Sequence, residues 1–218
     1  MKKIRINFFF TGVLFLAFAV FTVFVMKFDV RSIGPEETRV GFATVNKFIF
    51  ERLGMNLIWL EITDKLGLVA ILLVFSFGIL GSAQWISRRS FFKVDDDILA
   101  LGVLYFIIAL VYFLFEICVV NYRPILLHEK LEVSYPSSHT MIVMSIGGTA
   151  IIQFRKRIRH CLVRKMLVFI TGGLVILTVV GRLISGVHWF TDIVAGLLLG
   201  MALLMLYNSV LQWIEYQR

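Results

Sequence analysis

Charged residues are scarce in this sequence, and their scarcity decides the class of protein. Only 17% of the 218 residues are charged, whereas 59% are hydrophobic and the mean hydropathy is +0.89. A soluble domain of this length needs far more polar surface, so the composition predicts a chain surrounded by lipid. With three prolines and no Ser/Gly-rich stretch, the sequence gives no sign of linkers or disordered tails. We therefore predict one membrane domain over residues 1–218.

Cysteines and acidic residues are also few. Cys118 lies in an apolar segment and Cys161 in a basic loop, so neither indicates a disulfide framework or a metal knuckle. Fourteen acidic residues stand against 22 basic ones, which gives a net charge of +8. Membrane topology and anionic lipid headgroups explain this excess better than nucleic acid does. We expect the bilayer, and no nucleic acid, as a partner, and the sequence leaves the oligomeric state open.

Apolar stretches dominate the rest of the chain, and a membrane-spanning helix needs about 20 such residues. The candidates are residues 8–26, 66–85, 98–120, 140–154, 166–183 and 189–206. The fourth is short and qualifies only if its helix begins near Ser137. The first follows basic residues as a signal peptide would, but it is long and lacks a small-residue cleavage site, so we expect a retained anchor. The predicted fold class is all-α, a bundle of six transmembrane helices.

Lysines and arginines in the short connections predict the orientation of this bundle. They cluster at the amino terminus, between the second and third spans, and between the fourth and fifth. With six spans these places lie on one side, which the positive-inside rule makes the cytoplasm. Both termini are then cytoplasmic. The long connection over residues 27–65 is extracytoplasmic, and its hydrophobic residues from Phe42 to Leu60 predict a helix that lies in the interface or packs on the bundle.

Three polar clusters fall on the predicted outer face of the bundle. They occupy residues 121–124 (Asn-Tyr-Arg-Pro), residues 135–139 (Tyr-Pro-Ser-Ser-His) and residues 181–192, which begin Gly-Arg and contain a His and an Asp four residues apart. Charged groups at the edge of hydrocarbon are costly and commonly functional. Two histidines, two arginines, hydroxyl residues and an aspartate together are suited to handling a phosphate.

His188 is the candidate nucleophile. Asp192, one helical turn later, is placed to hold its ring, fix the tautomer and stabilise the cation formed on attack at phosphorus. That attack gives a phosphohistidine, and His139 is the second histidine on this face that can supply and accept protons. Nothing in this scheme demands a metal or another cofactor. Taken without the other clusters, His188 and Asp192 would instead be read as a structural hydrogen-bonded pair.

Two arginines and two serines are the candidate phosphate ligands. Arg123 and Arg182 can each bind non-bridging oxygens with bidentate geometry. The backbone amides near Ser137 and Ser138, at the start of the fourth predicted span, can add an anion site at a helix amino terminus.

These clusters resemble the motifs of the type 2 phosphatidic acid phosphatases, a family of integral membrane lipid phosphatases. The family motifs read Lys-x6-Arg-Pro, Pro-Ser-Gly-His and Ser-Arg-x5-His-x3-Asp. The matching residues, in the same order and spacing, are Arg123-Pro124, Pro136-Ser137-x-His139 and Arg182-x5-His188-x3-Asp192. The resemblance covers nearly the whole chain except residues 27–65. It implies hydrolysis of a lipid phosphate ester or diphosphate at the extracytoplasmic face of the cell membrane, with polyprenyl diphosphate, phosphatidylglycerophosphate and phosphatidic acid as candidates.

Three positions depart from the family pattern. Ser138 replaces the motif glycine and Gly181 replaces the motif serine, and both remain small. Glu116, seven residues before Arg123, stands where the family has lysine. We expect this carboxylate to lie behind the phosphate ligands, paired with Arg123 or Arg182. Among substrates, the short chain favours polyprenyl diphosphate. Two alternatives stay open: phosphotransfer to an acceptor lipid or sugar at the same site, and a degenerate protein that binds lipid without catalysis.

Overall fold

The computed structural model describes residues 1–127 and 129–217, and these residues are predominantly helical. Seven α-helices follow one another: α1 Lys2–Lys27, α2 Ala43–Leu53, α3 Leu57–Arg88, α4 Asp96–Ile117, α5 Ser138–Arg157, α6 Cys161–Ser185 and α7 Phe190–Gln217. Between α1 and α2, the two-residue strands β1 (Arg31–Ser32) and β2 (Arg39–Val40) pair antiparallel. Single 3-10 turns occupy Pro35–Glu37 and Phe91–Lys93. The predicted all-α class is confirmed.

Within the described residues, five helices are long and apolar enough to cross a membrane, namely α1, α3, α4, α6 and α7. The fourth predicted span lies in α5. This helix begins at Ser138, close to the start at Ser137 that a span of sufficient length needs, and it has 20 residues. Buried polar residues lower the apolar content of α5, and Ser145, Thr149 and Gln153 are fully buried. Because α5 packs against both α6 and α7, it exposes little of its surface to lipid. The count of six spans stays a prediction.

The connection between the first two spans differs from the expected single helix over Phe42–Leu60. The chain turns at Gly54, whose φ of 66° lies in the left-handed region that glycine tolerates best. A new helix, α3, then begins at Leu57, with the Asn56 side chain accepting hydrogen bonds from the amides of Ile58 and Trp59. The α2 helix ends before this turn and packs on the start of α7, which favours the bundle-packing alternative.

An ion-pair network joins α4 and α5 at the opposite end of the bundle from the three polar clusters. Arg157 lies 2.9 Å from an oxygen of Asp95 and 2.7 Å from one of Asp97. Partial burial alone would raise the pKa of Asp95, but hydrogen bonds from Arg88, Arg157 and Gln84 outweigh this effect and lower that pKa to about 2. This network fixes the spacing of two helices whose other ends carry the candidate site.

Candidate active site

The three clusters meet where α4 ends, α5 begins and α6 turns into α7. A cavity of about 140 Å³ at this place is lined by residues of all three clusters and by Glu116; its polar lining includes Glu116, Arg123, Ser134, Ser138, His139 and His188. The loop from α4 to α5 folds back on itself to bring the first two clusters together. In it the amide of Ser134 donates to the carbonyl of Asn121, and the amide of Arg123 donates to that of Glu132.

His188 lies in the turn between α6 and α7 and is only 4% exposed. Its Nδ1 is 3.1 Å from the backbone carbonyl oxygen of Ser134. Because a carbonyl can only accept, Nδ1 carries the ring proton, and Nε2 is left with a free lone pair. Nε2 is buried, and among the described residues it has no hydrogen-bond partner. The ring is therefore held in the tautomer that a nucleophile at Nε2 requires.

Asp192 reaches His188 through another residue and not directly, as the sequence had suggested. Its Oδ2 lies 4.0 Å from Nδ1 of His188, which is too long for a hydrogen bond. The hydroxyl of Ser134 lies between them: it donates to Asp192 and is 3.0 Å from Nδ1. Asn121 and the amide of Trp189 also donate to the carboxylate of Asp192, each at 3.0 Å. Asp192 thus orients Ser134, and Ser134 orients the ring.

The charge state of His188 follows from its surroundings. Burial first, and then the positive charges of Arg123 and Arg182, hold the pKa of His188 well below its ordinary value of 6.5. The ring is consequently neutral at physiological pH, which is the form that can attack an electrophile.

Arg182 and Arg123 bring cationic groups to the same region. Arg182 is 1% exposed and donates from Nη2 to Asp64, while its Nε and Nη1 are buried without a partner in the described part of the chain. Nε of Arg123 lies 3.0 Å from an oxygen of Glu132, but not in hydrogen-bond geometry. Buried N–H groups without acceptors are costly, so they indicate a ligand that carries oxygen atoms.

The polar groups of Ser137 have partners within the protein. It is fully buried, its amide donates to the carbonyl of Asp192, and its hydroxyl pairs with that of Thr140 at 3.0 Å. The amide bond joins the start of α5 to the start of α7, so this amide is not available to a phosphate, whereas the hydroxyl bond lies within the first turn of α5. Ser138 lines the cavity and remains a candidate ligand.

Glu116 lies on the cavity wall, but the expected ion pair with an arginine is wrong. Arg182 pairs with Asp64 and Arg123 with Glu132, and no ion pair joins Glu116 to either arginine in the described parts of the chain. The Glu116 carboxylate instead accepts a hydrogen bond from the hydroxyl of Tyr112, one turn earlier on α4.

Sequence reasoning did not predict the roles of Ser134, Asn121 and Asp64. Asn121 is the first residue of the first cluster and Ser134 directly precedes the second, but no spacing marks either of them as a partner of Asp192. Asp64 comes just before the apolar stretch 66–85, and its signal was the unusual position of a carboxylate at the edge of a span.

Comparison with known proteins agrees with the motifs. The PAP2 superfamily model matches residues 117–216, which contain all three clusters. A solved structure, the first transmembrane PAP2 type phosphatidylglycerolphosphate phosphatase from Bacillus subtilis, matches with a TM-score of 0.65 and 20% identity. The match covers 94% of this chain and 96% of that one, and at this identity it shows a shared fold. No curated protein matches the sequence significantly. The resemblance predicted from the three motifs is thus confirmed: residues 117–216 match the PAP2 superfamily model, and the chain shares the helical fold of a solved transmembrane PAP2 type phosphatase.

Proposed function

We propose that this protein is a membrane lipid phosphatase that works through a phosphohistidine at His188. The observation that carries the proposal is the buried Nε2 of His188, a nitrogen with a free lone pair near two arginines. Among the described residues, neither this nitrogen nor Nε of Arg123, nor Nε and Nη1 of Arg182, has a hydrogen-bond partner. The PAP2 superfamily region and the phosphatase fold support the same chemistry.

In the first step Nε2 of His188 attacks phosphorus, a nitrogen–phosphorus bond forms, and the bond to the leaving oxygen breaks. Arg123 and Arg182 hold the non-bridging oxygens and balance the charge of the transition state. His139 gives its proton to the leaving oxygen. The Nδ1 proton of His188 stays on its carbonyl acceptor, and Asp192, 4.0 Å away, offsets the positive charge that develops on the ring.

In the second step water attacks the phosphohistidine and the nitrogen–phosphorus bond breaks. His139, now neutral, takes the proton from that water as the new oxygen–phosphorus bond forms. Inorganic phosphate leaves, and both histidines return to their starting protonation states. These steps use only side chains of this protein, and we propose that no metal takes part.

A lipid substrate at the outer face suits the surroundings of the cavity. Its walls include the apolar side chains of Val111, Phe115 and Met141, beside the polar groups. The positive-inside rule puts the cavity on the extracytoplasmic side and both termini in the cytoplasm. Candidate substrates are polyprenyl diphosphate, phosphatidic acid and phosphatidylglycerophosphate, the last of which is named for the Bacillus subtilis protein of similar fold.

The test is phosphate release by the purified protein in detergent from each of these three lipids, with and without a chelator. We expect release from at least one lipid, unchanged by chelator and lost in His188→Ala. The matched control is His160→Ala, because His160 is exposed at the start of α6, near the opposite end of that helix from the site. Full activity of His188→Ala, or a chelator effect reversed by a divalent ion, contradicts the mechanism. Adding a lipid alcohol or sugar and analysing the products separates hydrolysis from phosphotransfer.

A further inference from the structure

Asp64 lies on α3, outside all three clusters, yet it contacts a residue from each of two of them. Its Oδ1 accepts a hydrogen bond from Nη2 of Arg182 and lies 3.3 Å from Nε2 of His139. Arg182 comes from α6 and His139 from α5, so a single carboxylate oxygen connects three helices at the site. Arg182 is fully buried, whereas the side chain of Asp64 is half exposed.

Close packing of α3 against α5 and α6 brings Asp64 to this position. A Cβ added at Gly67, one turn after Asp64, would lie 2.8 Å from Cδ2 of His139. A Cβ added at Gly181, beside Arg182, would lie 2.6 Å from Cγ2 of Thr63. Either side chain would therefore push α3 away from the site, because interiors packed this closely do not yield without strain.

Gly181 stands where the resembled family has serine, and the close packing of α3 explains why a residue without a side chain fits here. The fully buried Thr63 occupies the space that a serine side chain would need. The glycine at position 181 therefore lets α3 approach closely enough for Asp64 to reach Arg182.

We propose that Asp64 is a positioning residue for the proposed reaction, which orients the guanidinium of Arg182 and makes the protonated form of His139, the proton donor of the first step, easier to reach than it would be without this carboxylate. A charge-assisted hydrogen bond fixes one nitrogen of Arg182 while the others remain for phosphate oxygens. A carboxylate beside an imidazole favours the imidazolium. At His139, burial and the positive charges of Arg182 and Arg123 favour the neutral ring, and the negative charge of Asp64 opposes them. This inference rests on the proposed phosphatase function.

The experiment compares Asp64→Asn with the wild-type full-length protein in detergent. Asparagine keeps the size and an acceptor oxygen, so the fold should persist while the charge is lost. We expect kcat on the best lipid to fall about tenfold or more, the range of a hydrogen bond to a charged group. The alkaline limb of the pH profile should move to lower pH, since an imidazolium without its carboxylate loses its proton sooner. KM should change less than kcat.

Two further measurements use the same variant. With p-nitrophenyl phosphate the loss should be smaller, because its leaving group departs with little protonation. The matched control is Glu61→Gln, one turn earlier on α3, where the exposed Glu61 pairs with Lys65 at 2.7 Å. This control should match wild type in kcat and pH profile.

Gly181→Ser tests the packing independently. Although it restores the residue of the resembled family, it should lower kcat, because the added side chain displaces α3 and with it Asp64. Combined with Asp64→Asn, it should cause little further loss. Wild-type activity in Gly181→Ser, or wild-type kcat and pH profile in Asp64→Asn, overturns the inference.

The protonation state of His139 can also be followed without turnover. Diethyl pyrocarbonate modifies neutral imidazole, and peptide mass spectrometry gives the rate at His139 as a function of pH. In Asp64→Asn this modification should set in at lower pH than in wild type. If no lipid releases phosphate but this shift occurs, the proposed function fails while the role of Asp64 stands. Identical modification profiles overturn the role of Asp64, whatever the activity.

Discussion

Ser134→Ala removes the hydroxyl group that connects Asp192 to His188. In the structure this hydroxyl donates to the Asp192 carboxylate and lies 3.0 Å from Nδ1 of His188. The backbone carbonyl of Ser134 still accepts from Nδ1, so the ring keeps its tautomer. The variant therefore separates the orienting effect of Asp192 from the chemistry of His188 itself.

The expected magnitude follows from the bonds that are lost. Asp192 is fully buried and keeps its bonds from Asn121 and the Trp189 amide, but it loses the one from Ser134. A hydrogen bond to a charged group is worth about 1.5–3 kcal/mol. If the variant loses all of this free energy as stabilisation of the transition state, kcat falls by about 10- to 150-fold. The fall should be smaller than in His188→Ala, which removes the nucleophile.

The assay is steady-state phosphate release from the best lipid, well below the melting temperature of each variant. Ser32→Ala, an exposed serine in β1, serves as the control. Asp192→Asn added to Ser134→Ala should cause little further loss, because both changes break the same connection. A lowered melting temperature with unchanged kcat, or fully additive effects in the double variant, would refute the connection through Ser134.

Three further predictions concern other parts of the chain. Glu116→Gln should lower KM several-fold, because it keeps a partner for Tyr112 and removes a negative charge from the cavity wall; a rise in KM would contradict this. Cys118 follows α4 and Cys161 begins α6, and both are exposed. An impermeant thiol reagent should label Cys118 in intact cells and spare Cys161, and the opposite pattern would reverse the orientation. Asp95→Asn should lower the free energy of unfolding at pH 7 by roughly 1 kcal/mol, a figure reduced for partial exposure. Because the folded pKa of about 2 lies below the ordinary 3.8, this difference should be complete above pH 4 or so, and unfolding measured at lower pH should show it disappearing towards pH 2. A difference that persists there would contradict the assignment.

The helices could be predicted because the length and the apolar composition of a membrane-spanning helix can be read directly from the sequence. The start of α3 could not, since Glu61, Asp64 and Lys65 interrupt the apolar pattern while the helix continues through them. The capping residue Asn56 was the available signal for its start. Likewise α5 is short of apolar residues because it is packed on several sides by protein, a fact that belongs to the fold.

In the candidate site, too, some residues could be predicted from the sequence and others could not. His188, His139 and the two arginines stand out because charged residues are rare beside apolar segments. The contributions of Ser134 and Asp64 depend on which loop or helix approaches them, and no local spacing encodes that approach. Ser137 shows the converse, since its motif position predicted a ligand, while its amide joins α5 to α7 and its hydroxyl pairs with Thr140 in the same turn.

A covalent phosphohistidine at His188 can be trapped and located chemically. Protein mixed with a lipid carrying ³²P in its phosphate is quenched within milliseconds in alkaline denaturant, which preserves phosphohistidine, and its peptides are mapped. We expect label on the peptide that contains His188, and no labelled protein in His188→Ala. Turnover without labelled protein, or label on a different residue, would contradict it.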